Sequence, residues 1–371
     1  MKIKIKRTPE RLALVQAMAS RNSHEANEAR EAVAAFIGPV IEEVINQAAV
    51  SSLVYEDQPY NFDESPSIPL EIYDDAGEGF LRIWAQDMPG GLPSNLVSGT
   101  TDYKIGTYNL DSAISFLEKY ARQSRLDVVS QGMERMAQEL IAKIEDNAWN
   151  PILKALADSS DDDGNPHLYD VATTDIFQVD DLNTLWTKAK RLNKSWLSGT
   201  PSGLRKAMLT DIVVSPEVLG QIRGFSYNPM NTRGVPNSDE STALGLPENV
   251  REEIFRSAGA PEIFGIRVNE LYEFGVGQSY NTVFDTYYSG GSPAFDNTAD
   301  ELVLGLDLSS RAFVRAVAVG SDEVTDSVNE TSVVTEVDDQ FVRRQKKIGF
   351  YTSIEEGRVV LSDKAVLGLV V

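Results

Sequence analysis

The stretch RLDVVSQGMERMAQELIAKIEDNAW, from Arg125 to Trp149, constrains the fold more than any other part of the chain. Leu126, Val129, Met133, Met136, Leu140, Ile141, Ile144 and Ala148 recur at spacings of three and four, which places them along one helical face. At 1.5 Å per residue such a helix is about 36 Å long. Gly132 inside it costs about 1 kcal/mol relative to alanine. Asn150-Pro151 ends or kinks the helix, with a short continuation to Leu156. The heptads do not persist far enough for a coiled coil, so the long apolar face calls for a core in its own chain or in a neighbour.

Composition narrows what that core can serve. A hydrophobic fraction of 42% over 371 residues is ample for two or three packed units. No apolar run of about 18 residues marks a membrane span. The basic start, Met1-Lys2-Ile3-Lys4-Ile5-Lys6-Arg7, is followed by no apolar segment, so no signal peptide is expected. There is no cysteine, which rules out disulfides, thiolate metal sites and cysteine nucleophiles and fits a reducing cytoplasm. The net charge of −22 opposes phosphate backbones, because binding them needs Lys and Arg to displace counterions. Such acidity serves solubility, and it also suits a protein that surrounds nucleic acid without adhering to it.

Along the chain, Thr8-Pro9 opens a polar helical run to about residue 37, and Gly38-Pro39 interrupts it. A second helix from Pro39 carries Val40, Ile41, Val44, Ile45, Ala48 and Ala49 on one stripe, which must dock on this chain or a neighbour. Residues 55–102 are rich in Pro, Gly, Asp and Ser. The alternating runs Leu70–Tyr73, Phe80–Trp84 and Tyr103–Tyr108 predict a two-stranded extended arm turning around Pro89-Gly90-Gly91. An isolated ribbon of this kind is marginal without a partner. After an acidic loop over 158–180, Asp181–Leu197 reads as a helix burying Leu182, Leu185, Trp186, Ala189 and Leu192. DIVV then forms a strand, and the Ser215 hydroxyl with Pro216 caps a short helix. Tyr227 to Asn249 is a long loop. PEIFGIRVNEL turns at Gly265, and ELVLGLDLSSRAFVRAVAV is strand, turn and apolar segment. From Val333 the chain alternates as strands, with turns at Glu356-Gly357 and Ser362-Asp363.

Residues suited to chemistry are few. His24 and His167 lack motif partners and read as solvated surface. In SSDDDGNPHLYD, Asp161, Asp163, Gly164 and Asp170 fall at calcium-loop positions three, five, six and twelve if Ser159 is first. Serine at position one, the short Asp170 at twelve and the intervening Pro166 favour a solvated acidic turn instead. SGTPSGLRK has the wrong spacing for a phosphate loop, and GVGQSYN lacks the second glycine of a nucleophile elbow. No catalytic set, no cofactor motif and therefore no enzyme is read. FVRRQKK, with Arg343, Arg344, Lys346 and Lys347, is a basic cluster in an acidic chain. It reads either as a strand with a solvated face or as a contact with an acidic neighbour.

The order of these parts resembles the major capsid proteins of tailed bacteriophages, with the Hong Kong 97-type fold. The resemblance rests on the helical arm, the Pro/Gly-rich extended loop and DVVSQGMERMAQELIAKIEDNAW as a spine helix. It rests also on DIVVSPEVLGQIRG, PEIFGIRVNEL and the closing DDQFVRRQKKIGFYTSIEEGRVVLSDKAVLGLVV. It covers most of the chain beyond about residue 35. It implies an α+β fold with an N-terminal helical arm at 1–54 and an extended loop at 55–110. A peripheral domain with the spine helix would comprise 111–165 and 331–371, and an axial domain 166–330. It further implies that copies form pentamers and hexamers of a shell around double-stranded DNA, assembled in the host cytoplasm and found in the virion. Scaffold, portal and decoration proteins would be further partners. The loop would lie over a neighbour through Trp84, Met88, Pro89 and Leu92. Covalent cross-linking through a loop lysine, known in some of these families, is disfavoured because Asp57–Thr101 holds no lysine. With the chain starting at Met1, no cleaved leader segment is expected. The rival readings are a bacterial nanocompartment shell with the same fold and, more remotely, a calcium-dependent binding module.

Overall fold

The computed structural model describes residues 9–20, 22–61, 64–69, 102–123, 126–161, 164–192, 209–224, 262–319, 333–338 and 346–371. Its first helix, α1 (Pro9–Ala17), starts on Pro9 as the sequence suggests. The chain breaks at Met18–Asn22, earlier than expected, and α2 (Ser23–Ala48) then runs unbroken through Gly38-Pro39. The break lies where capping chemistry is available. The Asn22 side chain accepts from the His24 N–H, and Ser20 Oγ donates to Glu25, so two polar side chains hold the new helix start. Arg30 reaches back, donating to the Met18 carbonyl from Nε and Nη2 at 3.2 and 3.0 Å. At Pro39 the helix loses one backbone donor without ending.

The rest of the chain follows the expected order with a few departures. Strand β1 (Glu56–Tyr60) comes first, then β2 (Ser67–Pro69), β3 (Asp102–Lys104) and β4 (Tyr108–Leu117). A short α3 (Glu118–Arg122) leads to α4 (Leu126–Asp158), a 33-residue helix that passes through Pro151. Next come β5 (Leu168–Asp170), α5 (Val179–Leu192), β6 (Asp211–Val214) and α6 (Pro216–Gly224). The β7 (Glu262–Ile263) and β8 (Ile266–Glu270) pair turns on Phe264 and Gly265, both at positive φ, as a two-residue hairpin. Then follow α7 (Ser279–Tyr288), β9 (Leu302–Leu306), β10 (Phe313–Ala318), β11 (Val334–Asp338), β12 (Lys347–Val360) and β13 (Val366–Val370). This is an α+β chain.

Two compact units result. The first comprises Met1–Ile68, Tyr103–Ala148 and Val314–Val359. Its five-stranded sheet has the order β1-β10-β12-β11, with β4 also pairing β12. β1 lies parallel to β10, so Glu56–Tyr60, read above as part of the extended arm, belongs to this sheet. One hydrophobic core joins Met18, Ile37 and Ile41 of the arm to Met133, Met136, Leu140 and Ile144 of α4. Phe116 of β4 and Ile348, Phe350 and Ile354 of β12 complete it. Ile41 of the expected stripe therefore docks, with Ile37, on its own chain. Gly132 of α4 faces Ile114 of β4, and a Cβ there would sit 2.4 Å from the Ile114 Cδ1.

The second unit comprises Pro69–Asp102, Trp149–Phe313 and Val360–Val371. Its six-stranded sheet has the order β5-β13-β9-β6-β8-β7. Every residue of β6, β9 and β13 is buried, as befits central strands covered on both faces. Leu182, Leu185 and Ala189 of α5 pack with Val218, Leu219 and Ile222 of α6 over this sheet. The Ser215 cap forms as expected: its Oγ accepts from the Val218 N–H at 3.1 Å, with Pro216 opening the helix. His167, expected on the surface, is fully buried. Its Nδ1 lies 3.2 Å from the carbonyls of both Asp363 and Val366, so it carries the proton there and ties the turn before β13 to β5. His24 is exposed, beside Glu28 one helical turn on.

Candidate assembly surface

β2 and β3 pair only with each other among the described residues, as a ribbon outside both larger sheets. Each strand has three residues, β3 is exposed throughout, and Tyr103 shows its ring to solvent. A two-stranded ribbon is marginal by itself. Something outside the ribbon must hold its base, and the surroundings of β12 supply it.

Along β12 the even-numbered residues Ile348, Phe350, Thr352, Ile354 and Glu356 point inward and are buried. The strand does not turn at Glu356-Gly357 but runs on to Val360. The reason is the burial of Glu356 as a paired charge. Its Oε2 accepts from Arg315 Nε at 2.7 Å, and its Oε1 accepts from Tyr108 Oη at 2.8 Å and from Arg358 Nε at 3.2 Å. Arg315 also reaches Asp57 at 3.4 Å. The Arg358 guanidinium lies 5.0 Å from the centre of the Tyr55 ring, close enough for a cation–π contact. Burial pushes the Glu356 carboxyl up, but Arg358, Arg315 and the bonds from Arg315 and Tyr108 together hold it below the ordinary range. Burial and the nearby Glu356 charge raise the Tyr108 phenol, and burial with the Glu355 hydrogen bond pushes Tyr60 up to about 12.

Other features face outward. β4 is ten residues long and pairs, among the described residues, only with β12. In the second unit Tyr272 is 72% exposed in the loop after β8, and Phe264 is exposed at the β7–β8 turn.

The sequence-derived candidates fall unevenly on this surface. Trp84, Met88, Pro89, Leu92, Asp163, Arg343 and Arg344 lie outside the described residues. Lys346 is exposed at positive φ and accepts from the Glu118 N–H through its carbonyl at 2.9 Å, and Lys347 opens β12 opposite Leu117. The Asp161 carboxylate accepts from the Asn165 backbone and side-chain amides at 2.7–3.2 Å, closing a tight acidic turn. Asp170 lies in β5 opposite Val370, away from that turn. Burial and the Asp300 charge raise its carboxyl. Among the described residues no group of three or more His, Cys, Asp or Glu is placed to hold a metal ion. Sequence reading missed Glu356, Arg315, Arg358 and Tyr108. The signal was present: a carboxylate at an inward position of the alternation IGFYTSIEEGRVV requires a buried partner.

A half-buried carboxylate behaves in the opposite sense. Ser215 Oγ donates to Glu301 Oε2, and burial, with Glu217 nearby, raises the Glu301 carboxyl despite that bond. A raised acid penalises the fold above its folded pKa and not below its unfolded one. Glu301→Gln keeps an acceptor for Ser215 and removes the charge. The variant is expected to unfold at a higher urea concentration than the parent at pH 7, with the gain vanishing near pH 4. A midpoint that is unchanged at pH 7 contradicts this account.

No protein-family model and no curated protein matches the chain. Solved structures are similar over most of it. The capsid of Cyanophage P-SCSP1u is 12% identical, covers 87% of this chain and 88% of its own, and has a TM-score of 0.47. The capsid of an empty GTA particle is 14% identical, with 87% and 89% covered and a TM-score of 0.46. The holo-SrpI encapsulin complex of Synechococcus elongatus PCC 7942 is 11% identical, with 86% and 87% covered and a TM-score of 0.42.

Proposed function

We propose that this chain is the major capsid protein of a tailed phage, a tile that assembles with copies of itself into pentamers and hexamers around double-stranded DNA. The observation that carries this reading is the two-stranded ribbon β2–β3, anchored at its base yet belonging to neither sheet of its own chain. An exposed ribbon of that kind gains further stability by lying on another molecule. Other features agree. The 33-residue α4 matches the long spine helix that the reading calls for. The acidic surface suits a container whose contents are polyphosphate. In this reading the unit with the five-stranded sheet and Leu126–Ala148 of α4 serves as the peripheral domain, and the unit with the six-stranded sheet, which takes in Trp149–Phe313 and Val360–Val371, serves as the axial domain. Residues Trp84, Met88, Pro89 and Leu92 meet a neighbour, and Arg343, Arg344, Lys346 and Lys347 meet an acidic one. Such head-to-tail contacts close by rotation, and their repetition makes a durable shell from weak single contacts. Scaffold, portal and decoration proteins would be its further partners.

Sedimentation and negative-stain imaging of the purified chain test the proposal. Closed particles holding DNA after expression with the packaging components are expected. Particles filled instead with another protein would make the chain a nanocompartment shell. Recovery as monomers or dimers under every assembly condition removes the shell reading altogether.

A further inference from the structure

The strands on either side of the ribbon are held by one four-residue segment of β12. Before the ribbon, Tyr60 closes β1 and donates from Oη to Glu355 Oε1 at 2.9 Å. After it, Tyr108 opens β4 and donates to Glu356 Oε1 at 2.8 Å. Between these bonds, Gly357 admits the Ile105-Gly106 backbone: a Cβ at 357 would stand 2.6 Å from the Gly106 carbonyl oxygen and 2.9 Å from Ile105 Cγ2. Arg358 and Arg315 lock Glu356 from the buried side, and Arg315 in turn reaches Asp57 of β1. Across the base of the ribbon itself, the Ile105 N–H donates to the Pro66 carbonyl at 3.0 Å.

Packing alone does not call for this arrangement. An apolar side chain at position 356 would fill the inward site as Ile354 and Phe350 fill theirs, without two buried arginines. What the carboxylates and the glycine add is direction: bonds of fixed geometry to the strand entering the ribbon and to the strand leaving it. We propose that Glu355, Glu356, Gly357 and Arg358 form a clamp that sets the angle at which ribbon β2–β3 leaves its unit, and so positions it for a neighbouring copy. The clamp rests on the shell reading for its purpose but not for its existence. Tyr60 and Tyr108 are the positioning residues through which it acts.

The test compares the full chain with its Tyr60→Phe/Tyr108→Phe double variant, which loses the phenolic bonds to Glu355 and Glu356, together with those to Thr107 and Asn147, and keeps both rings. Ser353→Ala is the control, because it removes a 2.8 Å bond to Asp111 on the same sheet, away from the ribbon. Amide exchange followed by mass spectrometry is read on segments 64–69 and 102–107, and particle yield is read by sedimentation. In the double variant, exchange at both segments is expected to rise about a hundredfold or more, from the loss of two bonds to carboxylates. Exchange at 110–116 stays as in the parent and particle yield falls, while Ser353→Ala changes neither readout. Unchanged exchange at the ribbon base, or an equal rise along the whole sheet, overturns the clamp. A loosened base with normal particle yield overturns its role in positioning. If the parent itself never forms particles, the shell reading fails, and the exchange result still decides whether the clamp exists.

Discussion

Glu356→Ala is expected to lower the unfolding free energy by about 3–5 kcal/mol, the cost of leaving buried cations without their counter-charge. Arg315 and Arg358 both converge on this carboxylate, and both are nearly inaccessible to solvent. Truncation strands the two guanidiniums and removes the acceptor of the Tyr108 phenol. Glu356→Gln keeps the shape and one acceptor oxygen, so it should fall between the parent and the alanine variant. The pH dependence follows from the lowered carboxyl. A depressed acid contributes stability that is complete above its unfolded pKa of about 4.3 and is lost as pH falls through the folded value. The gap between parent and alanine variant is therefore full at pH 7 and closes progressively below about pH 4. Urea unfolding at a series of pH values measures it. A gap that stays constant down to pH 2 would show that the carboxylate acts by filling space and not by charge.

What the sequence revealed, and what it hid, follows a physical line. Local chemistry was legible. Ser215-Pro216 signalled a capped helix start, and Gly265 signalled a turn between strands, because each is decided within a few residues. The face of α4 was legible because Met133, Met136, Leu140 and Ile144 repeat with the helical period. The errors came where distant partners decide. Gly38-Pro39 looked like a stop, but α2 continues through it, and the Asn22 cap with Arg30 on the Met18 carbonyl sets the real break. Glu356-Gly357 looked like a turn because a charge beside a glycine is usually exposed. The arginine that makes a strand possible there is Arg315, far away in sequence. His167 looked solvated because the carbonyls that receive its proton come from Asp363 and Val366. Helix α7, SYNTVFDTYY, was missed because it contains few good helix formers. It is held by burial of Tyr280, Phe284 and Tyr288 on one face. Of the candidate surface, Tyr103-Lys104 of the run Tyr103–Tyr108 pairs in β3 while Tyr108 opens β4, the runs Leu70–Tyr73 and Phe80–Trp84 with the turn at Pro89-Gly90-Gly91 lie outside the described residues, and the anchor at Glu356 was not foreseen.

The second large effect is expected at Trp149, where α4 passes into Asn150-Pro151. A proline inside a helix removes one backbone bond and crowds the preceding turn, at a cost of about 3 kcal/mol. The helix nonetheless continues for two turns, so its side chains must offset that cost. They do so by burial: Ala148, Trp149, Ile152, Leu153 and Leu156 are all fully inaccessible. Trp149 is the largest of them. Its ring meets Phe274 edge-on at 6.2 Å and Tyr280 at 6.3 Å, and Phe274 and Tyr280 lie 5.6 Å apart, so three aromatic rings pack as one cluster. Trp149→Ala leaves a cavity that neither neighbour fills without abandoning the other, and it should cost about 3–5 kcal/mol. Trp149→Phe retains an aromatic edge and should cost markedly less. Amide exchange localises the effect. Protection is expected to fall at Ile152–Leu156 and at Phe274–Phe284, the partners of the lost ring, before it falls at the buried strand β6. If Trp149→Ala instead leaves Ile152–Leu156 fully protected, the helix beyond Pro151 is held by its backbone alone, and the aromatic cluster is not what carries it past the proline.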